Sequence, residues 1–232
     1  NLQPLIIPLI IFFSFLLVNF WVVGLTNAMN WLDGVDGLAS SLSLIAASGL
    51  AYTFIVYEKW DLLFLCVGFC GSIIGFLRYN IYPAKIMMGD SGSYFLGSFL
   101  ALTSILGLSY DYQGLMLDNN PLRQIEVFPI HKAILIFFVP IADMSFVIFN
   151  RLRKGHSPFF PDKSHIHHTL IKKGFNTRST VLILCTFASS IIGITIFSYV
   201  WEKTLYICIG AILLSLAILY LINLKDYLDS NK

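Results

Sequence analysis

The chain has 232 residues, 57% of them apolar and only 12% charged, with a formal net charge of +2 and a mean hydropathy of +0.77. Soluble domains carry about 25% charged residues, so this composition excludes an ordinary soluble domain and indicates a membrane protein. Cys66, Cys70, Cys185 and Cys208 all lie inside apolar runs, which reads as small core or lipid-facing residues rather than a disulfide framework.

The first apolar run, 4–25, is too long for a signal-peptide core and lacks a basic leader and a cleavage site. The chain opens on Asn1 rather than Met, so a fragment or a processed chain is expected. The next stretch, NAMNWLDGVDGLA (27–39), places Asn27, Asn30, Asp33 and Asp36 three residues apart. On a regular helix such a row drifts by about 60° per step, so neighbours share a face and the ends do not. Gly34 and Gly37 loosen the backbone, and Asp36 suits the N-cap of the helix that follows. A polar turn needs one such residue, not four, so a site is the favoured reading. An EF-hand is excluded, because the twelfth position from Asp33 is Leu44.

Spans at 38–57 and 62–79 follow, then a loop that ends in MMGDSGS (87–93). The letters GDSG do not make Ser91 a protease nucleophile, since that chemistry needs a positioned His–Asp pair. Asp90, flanked by glycines at a helix start, suits Mg²⁺, which takes one or two carboxylates plus substrate phosphates. Ser91, Gly92 and Ser93 then offer N–H groups at the start of a span at 93–110. The loop 111–131 has charges but no constellation. A fifth span, 132–150, carries Asp143 after Pro140, roughly 12 Å inside the membrane edge at 1.5 Å per residue. Asp143 reads as either a site floor or a satisfied structural acid.

The loop 151–180 begins RLRKGHSPFFPDKSHIHH. His165, His167 and His168 are three of the five histidines in the chain. Their spacing matches neither HExxH nor a Cys/His zinc pattern. Near phosphates, protonated imidazoles and Lys163 would act as donors. Spans at 181–200 and 204–224 complete seven, and because these runs do not alternate they are helices. The expected fold is an all-α, polytopic transmembrane helix bundle, read as a single membrane domain over 1–232. Loops 26–37, 80–92 and 151–180, with the tail, fall on one side together with eleven of the fifteen basic residues. The positive-inside rule makes that side cytoplasmic.

NAMNWLDGVDGLA, NIYPAKIMMGDSGS, PIADMSFVIFNRLRKG and SPFFPDKSHIHHTLIKKGF, in this order and on one face, resemble the polyprenyl-phosphate N-acetylhexosamine-1-phosphate transferases. These are glycosyltransferase family 4 enzymes that move a sugar-1-phosphate from a UDP-sugar to a lipid phosphate and release UMP. The likeness covers about residues 20–180, and it is nearest the bacterial branch that uses UDP-GlcNAc and undecaprenyl phosphate to start O-antigen and other lipopolysaccharide or cell-wall polymers. It implies Asp90 as a Mg²⁺ ligand (Mn²⁺ as a substitute) with Asn30 close to the metal, and Asp33 and Asp36 as acidic residues at the nucleotide end, Asp36 nearest uracil. It places Asn80 in the nucleotide pocket, and His165, His167 and His168 on the phosphates. Asn27 and Lys163 complete the substrate-binding set. The implied partners are the UDP-N-acetylhexosamine, undecaprenyl phosphate and the bilayer of the bacterial cytoplasmic membrane, with no nucleic acid; a homodimer is left open.

Two departures from the family pattern bear on this. No DDxxD motif exists in these 232 residues, so upstream spans of the family fold are expected to be missing, the chain being its C-terminal part. The residue before MGD, a phenylalanine in the family, is Met87, so a softer thioether contact, or a neighbour such as Phe76 or Tyr82, has to replace the stacking on uracil. The rival readings are a non-catalytic fragment, and a transporter or lipid-phosphate-binding protein motivated by Asp143. The transporter needs polar residues at the midplane of several spans. Apart from Asp143 and Asn19, the spans nearly lack them.

Overall fold

A computed structural model describes residues 3–112, 130–160 and 164–198; Lys163, span 204–224 and most of loop 111–131 lie outside these residues. Among the described residues the fold is all-α, with eight helices and no strand. They are α1 (Gln3–Leu32), α2 (Leu38–Val56), α3 (Trp60–Asn80), α4 (Gly89–Tyr112), α5 (Ile130–Ile136), α6 (Phe138–Arg153), α7 (Ile166–Lys172) and α8 (Thr177–Ser198). Four stretches, Phe12–Leu32, Leu38–Val56, Trp60–Asn80 and Thr177–Ile196, are long and apolar enough to cross a bilayer.

The helix boundaries depart from the apolar runs in ways that matter to the site. α1 continues beyond residue 25 to Leu32, because nothing breaks a helix before Gly34. Asn27 and Asn30 are therefore helical, while Asp33 and Asp36 stand in the turn. The span expected at 132–150 is two helices, interrupted at Phe137. Pro140 accounts for the break: it has no N–H, and its ring crowds the carbonyl four residues back, on Ile136. The expected loop 151–180 contains α7 and folds back along α6.

Without a hydrophobic drive between helices in lipid, close backbone approach does much of the packing. α4 lies antiparallel on α1, as the pairs Trp21–Ser104 and Asn30–Ser93 mark. Gly97 sits at their tightest point, where a Cβ would come within 2.6 Å of Thr26 Cα. One apolar cluster joins Leu25, Leu50, Phe69, Leu100 and Ile192 across α1, α2, α3, α4 and α8. A second, with Leu32, Leu38, Val139, Leu170 and Leu184, lies beneath the α1–α2 turn and fastens α7 to it. Phe13, Phe15, Leu17 and Phe20 of α1 face outward, as lipid contact allows.

Candidate active site

The end of α1, the α1–α2 turn, the loop 81–88, the start of α4 and the segment 156–172 all meet at one end of the bundle. Three ties build the site. The first is between α1 and α4. Asn30 Nδ2 donates to Asp90 Oδ1 at 3.1 Å and to Ser93 Oγ at 2.9 Å. Asp33, one turn on, stands close to Gly89 and Asp90 at the start of α4. Burial, then the nearby charge of Asp90, raises the Asp33 carboxyl to about 6, with a smaller push from Asp36 and an opposing pull from Gly89.

The second tie closes the loop 81–88 over the α1–α2 turn. Asp36 Oδ2 accepts the Ala84 N–H at 2.9 Å. Asp36 is therefore not the N-cap of α2. That position belongs to Gly37, at φ 74°, where a Cβ would stand 3.4 Å from Ile81 Cα. A left-handed backbone and a near neighbour both favour glycine there. Asn80 is buried, accepting from Ser40 Oγ at 2.7 Å and donating to the Ile86 carbonyl at 3.0 Å. Both ends of its amide are held between α2 and the loop 81–88.

The third tie is between α6 and the histidine segment. His165 Nδ1 donates to Asp143 Oδ2 at 2.7 Å, and the Ile166 N–H donates to Asp143 Oδ1 at 2.7 Å. Trp31 packs edge-on to His165, with centroids 5.8 Å apart, and the Arg151 guanidinium lies 4.9 Å over the Trp31 ring. Arg151 also donates to the Pro158 carbonyl. His167 is fully buried against Gly34, and neither ring nitrogen has a hydrogen-bond partner. Burial pushes its pKa down to about 4, against the pull of Asp143 and with the repulsion of His168 and His165. In this arrangement burial favours the neutral ring of His167, which packs on Gly34. His168 is half-buried, its ring 4.3 Å from that of His167.

Asn27 stands one turn behind Asn30 and donates to the Val23 carbonyl at 2.7 Å. Trp31 escaped the sequence reading, which took Arg151 only as a basic span end and Ser93 only as a backbone N–H donor. A basic residue at a span end is expected in any case, so nothing marked Arg151 as buried; an aromatic between Asn30 and Asp33 was the one available hint. Met87 is strongly exposed at the rim, and the Tyr82 ring lies 5.7 Å below the Arg178 guanidinium.

The hard oxygens that a divalent cation would find here are those of Asp33, Asp90 and Asn30. Among the described residues no group of three His, Cys, Asp or Glu side chains converges on one metal position. That set fits Mg²⁺, which keeps waters and takes phosphates for its remaining ligands. The raised Asp33 carboxyl fits too: burial is its larger cause, and the repulsion by Asp90 that adds to it is what a cation would relieve.

The contact of His167 with Gly34 is open to test. A Cβ at Gly34 would stand 2.7 Å from His167 Nε2. Gly34→Ala is expected to lose about 1–3 kcal/mol by overpacking, measured by thermal unfolding in nanodiscs. His167→Ala in the same chain should remove most of that loss; two independent, additive effects would refute the contact.

Residues 2–108 match the family described as glycosyl transferase family 4. The chain is 41% identical over 164 residues to a probable undecaprenyl-phosphate N-acetylglucosaminyl 1-phosphate transferase of Bacillus subtilis, covering 71% of this chain and 42% of that protein. It is 36% identical over 183 residues to a decaprenyl-phosphate N-acetylglucosaminephosphotransferase of Mycobacterium leprae, covering 74% and 44%. It is 30% identical over 185 residues to the undecaprenyl-phosphate alpha-N-acetylglucosaminyl 1-phosphate transferase of Escherichia coli K12, covering 78% and 47%. The chain spans less than half the length of these relatives.

Proposed function

Because the chain belongs to glycosyl transferase family 4, an integral membrane family by its apolar helices and relatives, we propose that its protein transfers N-acetylglucosamine 1-phosphate from UDP-GlcNAc to undecaprenyl phosphate. UMP leaves, and the lipid-linked sugar starts a cell-envelope polysaccharide. The observation that carries this reading is the meeting of the Asn30–Asp90 pair, the Asp36–Ala84 tie and the Asp143–His165 pair at one end of the bundle. In the sequence, eleven of fifteen basic residues belong to the loops and span ends assigned to that side, which supports reading it as the cytoplasmic face, where UDP-sugars are made.

Both substrates are anionic, so the site has to offset their repulsion while aligning them. Asp33, Asp90 and Asn30 would hold Mg²⁺, which would neutralise phosphate charge and polarise the bond to be broken. The turn at Asp36, tied to loop 81–88, forms the nucleotide end. His165 and His168 stand at the opposite wall, where imidazole N–H groups donate to phosphate oxygens. The exposed apolar flanks of the helices keep the lipid acceptor beside the site.

The test is transfer of radiolabelled GlcNAc 1-phosphate to undecaprenyl phosphate by membranes containing the full-length protein and Mg²⁺. Absence of a lipid-linked product with any UDP-N-acetylhexosamine would falsify the reading. A pH effect follows from Asp33. Its folded pKa is raised from 3.8 to about 6, so the cost of ionising it is absent below about pH 4 and grows as pH rises to about 6. A cation needs the ionised pair and displaces the proton. Thermal stabilisation by Mg²⁺ should therefore be strong at pH 7.5 and weak at pH 5, and Asp33→Asn should flatten that difference. Equal stabilisation at both pH values would count against the assignment.

A further inference from the structure

We propose that Asp143 is a positioning residue that sets the tautomer of His165 and docks the start of α7; the activity arm of its test rests on the function proposed above. The carboxylate uses both oxygens, one on His165 Nδ1 and one on the Ile166 N–H, each at 2.7 Å. Asp143 is buried, 5% exposed, and His165 is 7% exposed. A carboxylate only accepts, so the ring nitrogen facing it must carry the proton. That leaves Nε2 as the nitrogen that is a lone pair in the neutral ring and a donor in the cation. No described residue takes Nε2 by hydrogen bond.

The remaining faces of His165 are covered in ways that hold the ring without competing for its protons. Trp31 meets it edge-on at 5.8 Å, and His167 stacks on it at 5.5 Å with planes 12° apart. His168 lies 6.3 Å away. A ring flip would replace Nδ1 with a carbon at Asp143 and break that bond, so one carboxylate decides which nitrogen is left over. The same carboxylate satisfies a backbone N–H at the first position of α7, so the orientation of the ring and the depth of the helix are set together.

Asp143→Asn separates the two roles. The amide has one accepting and one donating edge. The Ile166 N–H cannot change its nature, so the Asn oxygen keeps that bond and the NH₂ turns to His165 Nδ1. The ring must then accept at Nδ1 and carry its proton on Nε2. In ¹⁵N spectra of histidine-labelled protein, the wild-type neutral ring is expected as the Nδ1–H form and Asp143→Asn as the Nε2–H form. Wild type in the Nε2–H form overturns the proposal whatever the activity. In the transfer assay, Asp143→Asn should lower kcat by about 10–100-fold with little change in KM for the UDP-sugar. Added to His165→Ala, it should lower the rate no further. A loss that adds in full to that of His165→Ala would show that Asp143 does not act through His165, and would also overturn the proposal. A wild-type protein that transfers no sugar phosphate defeats the functional reading, while the spectra still decide the tautomer.

Discussion

Gly97→Ala is expected to uncouple α1 from α4 and to remove most activity. The added Cβ would stand 2.6 Å from Thr26 Cα and 3.1 Å from the carbonyl oxygens of Leu25 and Thr26. These are backbone atoms in the middle of a helix, so no rotamer change relieves the contact and the helices must separate. In its own right alanine favours a helix over glycine by about 1 kcal/mol, so a loss of stability would carry the sign of the clash. Overpacking of this kind costs about 1–3 kcal/mol or more. The site suffers beyond that. Asn30 sits one turn from Thr26, and its bonds of 3.1 Å to Asp90 and 2.9 Å to Ser93 depend on the same approach. A shift of about 1 Å at reacting groups is worth about 10²-fold in rate. Thermal unfolding in nanodiscs and the transfer assay read the two effects. Gly71→Ala is the control, since nothing lies within 4 Å of a Cβ there. A Gly97→Ala protein with wild-type stability and rate would refute the packing described here.

Asp90→Asn is expected to abolish Mg²⁺-dependent transfer, by about 10²–10³-fold or more, without unfolding the protein. The side chain is exposed, and an Asn oxygen can still accept from Asn30 Nδ2. What disappears is one of two negative charges. Asp33 then loses the neighbour that helps raise its carboxyl, so its pKa should fall back toward 3.8. The variant should be at least as stable as the parent without Mg²⁺, gain little on adding it, and show a weaker pH dependence of that gain. Unchanged transfer by Asp90→Asn would remove Asp90 from the site.

The sequence was enough to establish a helical membrane protein with its polar clusters on one side. Apolar runs longer than a bilayer and the asymmetry of lysine and arginine are one-dimensional signals, because lipid thickness and membrane side act on each segment separately. It also marked Asp33, Asp90 and Asn30, since carboxylates and amides beside glycines have few uses at the end of an apolar helix. What it left open about Asp143 was a matter of partners. An acid inside a span is unusual, but whether it faces a pathway or a hydrogen-bond donor depends on what folds back onto it. His165 lies 22 residues away, on a segment read as a loop.

The tertiary structure alone decided the roles within each cluster. His165 and His167 are two residues apart and alike in sequence, yet one is gripped by a buried carboxylate and the other is sealed without a partner against Gly34. Asp36 and Asn80 tie down loop 81–88, one through the Ala84 N–H and the other through the Ile86 carbonyl. The break at Phe137 places α6 so that Asp143 and Arg151 both reach the returning segment. These outcomes rest on hydrogen bonds and close packing between residues far apart in the chain. Such interactions are short-ranged and directional, so residue type and local spacing carry little record of them.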